Sequence, residues 1–192
     1  MATSDAPLQV GRVVLTVNDL GKVGDFYQDV IGLQRLSGDA EEMALGVDGA
    51  PLVELRRDTA ARIRPNEAGL FHTAFLLPDR RALGSWLRLI AERQIPLDGA
   101  SDHLVSEAIY LRDPEGNGIE IYADRPRETW VRNGAEVEMD TVALHQQNLL
   151  AAGNRGVARI PGKHGSSERF TTLTVLIDDR PGQLAALLTE LG

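Results

Sequence analysis

The chain carries an imperfect internal repeat, and that repeat constrains its fold more than any other feature. Gly11-Arg12-Val13-Val14-Leu15-Thr16-Val17 reads as a strand that leads into a helix at Asp19. Phe71-His72-Thr73-Ala74-Phe75-Leu76-Leu77 does the same, with a helix starting at Asp79. A second correspondence joins Pro51-Leu52-Val53-Glu54-Leu55 to Asn117-Gly118-Ile119-Glu120-Ile121. Each copy therefore opens on a strand with one candidate functional residue and closes on a strand with a glutamate. The pairs are Arg12 with Glu54 and His72 with Glu120. Two copies facing each other would bring all four to one cleft. An imidazole with carboxylates is a divalent-metal set.

Both copies follow the same order. In the first, a strand over residues 8–17 precedes a helix with Asp19 as its N-cap. Val23, Phe26, Tyr27, Val30 and Ile31 lie on one stripe of that helix. Strands follow at residues 33–37, 42–47 and 52–56, with an Asp48-Gly49 hairpin signal between the last two. Residues 59–68 read as a polar linker. In the second copy Asp79 caps a helix whose inner face is Leu83, Trp86, Leu87, Ile90 and Ala91. Its strands fall near 96–100, 103–111 and 118–123. The order is βαβββ twice, over modules 8–57 and 69–124, which predicts an α+β fold. Residues 125–169 are polar and read as linker, with a short helix near 142–152. Residues 170–192 form a βα appendage: a strand at 171–177, a turn at Asp178-Asp179-Arg180-Pro181-Gly182 and an amphipathic helix over 183–191.

Composition narrows the function. A net charge of −8 disfavours nucleic acid and anionic membranes, which need a positive face. With no cysteine, disulfides, thiolate zinc sites and cysteine nucleophiles are excluded. No apolar run approaches the roughly 20 residues that span a bilayer. The first residues lack the pattern of a signal peptide, so a cytoplasmic location is expected. A Gly-x-Ser-x-Gly elbow is absent, and Gly116-Asn117-Gly118 leads into a strand rather than a helix.

Strand alternation decides which side chains share a face. His72, Ala74 and Leu76 share one side of their strand; Gly118, Glu120 and Tyr122 share one side of theirs. A mid-strand glutamate facing inward is costly unless paired or liganded. His103 is a third candidate, and alternation along a strand from 103 would put His103, Val105 and Glu107 together. The metal set would be His72 and Glu120 with His103 or Glu54. Arg12 stands where the second copy has its histidine. A guanidinium is not a metal ligand, so Arg12 is free to pair with Glu54. A histidine beside a glutamate also reads as a hydrogen-bonded structural pair.

Val17-Asn18-Asp19-Leu20 followed by Asp25-Phe26-Tyr27-Gln28-Asp29-Val30-Ile31-Gly32-Leu33, with Asp113-Pro114-Glu115-Gly116-Asn117-Gly118-Ile119-Glu120-Ile121, resembles the vicinal oxygen chelate superfamily. That superfamily includes glyoxalase I, fosfomycin and bleomycin resistance proteins and extradiol dioxygenases. The resemblance covers about residues 8–124. It implies paired βαβββ modules around a divalent metal, with metal positions at Arg12, Glu54, His72 and Glu120. Gly69 to Pro78 and Gly99 to Trp130 are most similar to the N-terminal half of catechol-2,3-dioxygenase-like proteins.

This implies extradiol ring cleavage of a small aromatic or chelating substrate by a homodimer. Iron(II) is the expected cofactor, with manganese(II), zinc(II) or nickel(II) as substitutes. On that reading His72, Glu120 and Glu54 hold the metal. His103 acts as ligand or acid/base, Tyr122 hydrogen-bonds the substrate and Arg12 binds it. The same fold also allows a non-catalytic binding or resistance module, or a glyoxalase-type lyase. Asp179-Arg180-Pro181-Gly182-Gln183-Leu184, within the stretch from Thr172 to Gly192, resembles the start of the ACT domain of some prephenate dehydrogenases.

Overall fold

In the computed structural model, residues 8–62, 69–153 and 171–173 are described. The chain begins with β1 (Leu8–Val10), β2 (Val13–Val17) and α1 (Leu20–Phe26), which runs into a π-helical turn at Tyr27–Ile31. Then come β3 (Gln34–Gly38), β4 (Glu42–Val47) and β5 (Ala50–Arg57). The second copy is β6 (Thr73–Leu77), α2 (Arg80–Glu92), β7 (Gly99–Asp102), β8 (Ser106–Arg112) and β9 (Gly118–Asp124). The fold is the expected α+β pair of βαβββ modules.

Both helices start on a built cap. The Asp19 carboxylate accepts the Lys22 amide at 3.0 Å, and that of Asp79 accepts the Ala82 amide at 2.8 Å. These bonds satisfy amides that the helix itself leaves open.

The two sheets have equivalent strand orders. One runs β2-β5-β4-β3; the other runs β6-β9-β8-β7, with a further short strand on its far edge. In each, the opening strand lies parallel to the closing strand and the remaining neighbours are antiparallel. The registers match as well. Val14 faces Glu54 in the first copy, and Ala74 faces Glu120 in the second. Each candidate residue of the opening strands, Arg12 or His72, therefore sits at the same offset from its glutamate.

A shared core joins the copies. Val17, Tyr27, Ile31, Leu45 and Leu55 of the first pack with Phe75, Leu83, Trp86, Ile90 and Ile121 of the second. Burying such side chains contributes about 1.5–3 kcal/mol each. Polar contacts help to fix the relative position. The Trp86 indole N–H donates to the Val30 carbonyl at 2.9 Å. The Glu115 carboxylate, in the turn between β8 and β9, accepts the Asn18 and Asp19 amides at 2.8 and 2.7 Å. Burial raises the pKa of Glu115, but these backbone bonds and the Asn18 side chain together outweigh it and hold the group below the usual carboxylate range.

Several expectations are revised: among them, the strand expected near 96–100 is found at Gly99–Asp102, and Ala91, expected on the inner face of its helix, is exposed. The opening strand breaks at Gly11 and Arg12, so that β1 is separate from β2. The expected strand over 103–111 is shorter, because Asp102 to Val105 form a turn with Leu104 at a φ of 67°. Glu107 then lies on the core side, 4% exposed, and does not share a face with His103.

Residues 125–153, read from their polarity as linker, lie on the second copy. They carry β10 (Arg132–Asn133) and β11 (Glu136–Val137), which pair, then β12 (Val142–Ala143) and α3 (Gln146–Ala152). β12 adds to the edge of β7, with Val142 opposite Asp102. α3 packs on α2 through fully buried Leu149. Of the appendage, only β13 (Thr171–Leu173) is described, parallel to β1. The rest of the appendage, residues 154–169 of the expected linker and residues 63–68 of the 59–68 linker fall outside the described residues. Among the described residues, no helix is long and apolar enough to cross a membrane.

Two measurements check this packing. Glu115 has a folded-state pKa below its unfolded value, so its stabilisation is present above the unfolded pKa and is lost as pH falls through the folded pKa. Glu115→Gln should cost about 1–2 kcal/mol at neutral pH in urea unfolding. The gap to the unmodified protein should close on the acid side; a gap constant with pH would contradict the clasp. Gly84 meets α3 backbone to backbone: a Cβ there would lie 2.3 Å from the Leu149 carbonyl oxygen. Gly84→Ala should therefore destabilise by about 1–3 kcal/mol and expose residues 146–152 to limited proteolysis.

Candidate functional site

The half-exposed face of the second sheet is built by alternation. Along β9, Ile119, Ile121 and Ala123 are buried, whereas Gly118, Glu120 and Tyr122 are half-buried on the other side. Gly118 is required here for a close approach. A Cβ on it would stand 2.2 Å from the Phe71 carbonyl oxygen and 3.3 Å from the His72 Cβ. Its absence lets the chain ahead of β6 lie across β9 and bring His72 down to Glu120. The His72 Nε2 is 2.8 Å from Glu120 Oε2, with side-chain exposures of 27% and 14%.

The other Glu120 oxygen accepts the Tyr110 hydroxyl at 3.0 Å, because Tyr110 faces Glu120 across the β8–β9 ladder. The Tyr110 oxygen also lies 2.8 Å from His103 Nε2. His103 thus reaches the face from the β7–β8 turn rather than from a strand. The four side chains form one hydrogen-bonded row, His103–Tyr110–Glu120–His72. Burial first, then the charge of Glu120 and the bond to it, push the Tyr110 pKa up to about 12. Its hydroxyl therefore remains a donor at neutral pH. Phe71, 86% exposed, stands beside this row with its ring centre 5.0 Å from that of His72.

Tyr122 lies next along the face, its pKa raised by burial and then by Asp124 and Glu120. It is Tyr110, not singled out from the sequence, whose hydroxyl touches Glu120. The signal was the ladder itself: a hairpin register that puts Tyr110 opposite Glu120 identifies it.

The first copy repeats the arrangement with different chemistry. The Arg12 guanidinium contacts Glu54 Oε2 at 2.9 Å. Arg56 contacts Glu54 Oε1 through two nitrogens, at 2.6 and 2.7 Å. Both oxygens of the nearly buried Glu54 carboxylate are thus held by cations, which offsets the cost of burying it.

The donors present meet a metal's needs in part. His72 and Glu120 offer one nitrogen and one oxygen 2.8 Å apart. That is close to the separation of two adjacent ligands, each ~2.1 Å from one ion. They fit a divalent metal as neighbouring ligands. Glu54 would have to leave both arginines first. Among the described residues, no three His, Asp or Glu side chains form a group that could hold a metal ion.

Comparison with known proteins agrees with the fold. Residues 9–121 match the family described as the Glyoxalase/Bleomycin resistance protein/Dioxygenase superfamily. A Bacillus subtilis (strain 168) protein named catechol-2,3-dioxygenase is 41% identical over 157 residues, covering 79% of this chain and 55% of that protein. The chain therefore spans only about half of that relative's length. A Rhodococcus globerulus protein named biphenyl-2,3-diol 1,2-dioxygenase 3 is 29% identical over 194 residues, covering 94% of this chain and 97% of that protein. Among solved structures, a glyoxalase/dioxygenase from Nostoc punctiforme aligns with a TM-score of 0.53 at 20% identity, over 62% of this chain and 92% of that one. A glyoxalase/bleomycin resistance protein/dioxygenase from Alicyclobacillus acidocaldarius aligns at 0.51 and 19% identity, over 66% and 98%. At that identity the structural likeness concerns the fold alone. Paired βαβββ modules in equivalent register, together with a family match over most of both modules, mean that this chain belongs to the glyoxalase/bleomycin resistance protein/dioxygenase superfamily.

Proposed function

We propose that this chain works as an extradiol-type dioxygenase acting on a small aromatic vicinal diol, with its site on the second module. The observation that carries this is the row His103–Tyr110–Glu120–His72 along one face. The two relatives named as dioxygenases support it. In this reading His72 and Glu120 hold iron(II), and Glu54 joins them only by giving up Arg12 and Arg56. Bound there, the metal would supply Lewis acidity toward the diol oxygens and a place for dioxygen beside them.

The chain's own groups do the rest. Tyr110, protonated at neutral pH, donates to Glu120 and keeps the carboxylate turned toward His72. His103 stands one hydrogen bond further out, where its Nε2–H can supply a proton to the bound diol's oxygens through Tyr110. Tyr122 meets the substrate on the same face. Arg12 presents a cation to an anionic ring substituent, and Phe71 offers an apolar edge. A homodimer in the cytoplasm is part of the same proposal.

A second reading has its own support. Arg12 and Arg56 close off Glu54, which favours a binding module of this fold that holds an anionic aromatic without turning it over.

Two experiments separate these readings. Protein reconstituted anaerobically with iron(II) should turn catechol into a yellow ring-opened product. His72→Ala and Glu120→Gln should abolish turnover, and Tyr110→Phe should lower kcat about 100-fold. Protein that retains no iron after this reconstitution and leaves catechol intact would favour the binding module. Arg12→His supplies an imidazole at the equivalent register and releases half of Glu54. It should tighten manganese(II) binding by about tenfold or more in calorimetry, whereas unchanged affinity would show that the first module contributes nothing to a metal.

A further inference from the structure

His103 is gripped from outside the paired repeat. It sits in the turn between β7 and β8, where Leu104 holds a left-handed φ of 67°. That conformation is costly for a leucine and persists only where neighbours enforce it. Arg125 is the enforcer. Its guanidinium forms a two-pronged pair with Asp102, including a 2.6 Å contact to Oδ2, and donates to the Leu104 carbonyl at 2.9 Å. Its backbone amide donates to the Val105 carbonyl at 2.7 Å. The Asp102 carboxylate in turn accepts the Leu104 amide at 2.9 Å. Arg125 also lies 3.5 Å from buried Glu107, which Arg80 holds at 2.6 Å.

The ring of His103 is held from a second point in the same segment. Its Nδ1 lies 3.3 Å from the Thr141 hydroxyl and 3.2 Å from the Asp140 carbonyl oxygen. Counting protons decides which ring nitrogen faces Tyr110 as a donor. The Tyr110 hydroxyl has one proton and two neighbours, Glu120 Oε1 at 3.0 Å and His103 Nε2 at 2.8 Å. The carboxylate is charged, and a bond to a charged acceptor is about twice as strong as a neutral one. The proton therefore goes to Glu120, and Nε2 must donate to the Tyr110 oxygen. Nδ1 of the neutral ring is then an acceptor. Thr141 can donate to it and the Asp140 carbonyl cannot. The carbonyl alone would favour the opposite tautomer.

We propose that Arg125 and Thr141 are positioning residues for His103: they fix its turn and its ring so that Nε2–H points at Tyr110. The segment after the repeat is then part of the site, and the row runs in one direction. Thr141 donates to His103, His103 to Tyr110, and Tyr110 to Glu120, which also receives His72. The catalytic meaning of this row rests on the dioxygenase reading above; the orientation of His103 does not.

The test is nitrogen-15 NMR of the imidazoles in the full chain, which reports directly which ring nitrogen carries the proton. Thr141 is exposed, so its variants leave the core alone. Unmodified protein and Thr141→Ser should both show His103 protonated at Nε2. Thr141→Val should move the proton toward Nδ1, where the Asp140 carbonyl is unopposed, and lower kcat for ring cleavage about tenfold with KM unchanged. Arg125→Lys, which keeps the charge but loses the fork, should give the same change in tautomer. If His103 carries its proton at Nδ1 in the unmodified protein, or if Thr141→Val leaves the spectrum as it was, the positioning role is wrong. A tautomer that moves as described in a protein that never cleaves catechol upholds the positioning and removes the dioxygenase reading instead.

Discussion

The parallel pairing of opening and closing strands in each module is what the rest of this molecule depends on. It brings residues far apart in the chain into one register, Val14 against Glu54 and Ala74 against Glu120. Parallel neighbours cannot be joined by a tight turn, so a long crossover must lie between them. Here the helix and two antiparallel strands supply it, and the helices bury the inner faces. Side-chain alternation then leaves one face of each sheet for chemistry, with a glutamate at the centre of the closing strand.

Equivalent backbones carry unlike chemistry. In the second module the glutamate meets an imidazole and a phenol, groups that can share or pass a proton and can ligate a metal. In the first it meets two guanidinium groups, which stay charged and do neither. Arg12 and Arg56 make burial of Glu54 tolerable, but they fix it as the acceptor of an ion-pair cluster. The repeat thus yields one module with a hydrogen-bonded row and one with a salt-bridged face, and the difference traces to residues at three equivalent positions: Arg12 and His72, Arg56 and Tyr122, Ala44 and Tyr110.

Much of the fold was legible because each copy shows its periodicity: apolar stripes on the helices, capping aspartates ahead of them, and alternation in the strands. His72 beside Glu120 followed from that alternation. What misled was the turn at 102–105. A leucine at positive φ carries no sequence signal of the kind glycine or asparagine gives. Reading straight through it put Glu107 on the wrong face and hid Tyr110. Residues 125–143 looked like linker because they are anchored by charged and backbone contacts, such as Arg125 on the Leu104 carbonyl, and the apolar anchor of the segment is confined to Leu144, Leu149 and Leu150. Gly118 shows the converse: its small size was visible in the sequence, but only the structure shows that the Phe71 backbone occupies the space.

The central claim is that His72 and Glu120 serve one divalent ion on the face they share with Tyr110. Anomalous diffraction from crystals grown anaerobically with iron(II) tests it most directly. A single iron peak within bonding reach of His72 Nε2 and Glu120 Oε2 is expected. Crystals saturated with iron that keep the direct 2.8 Å contact between these atoms, with no peak beside it, would show that the pair is structural.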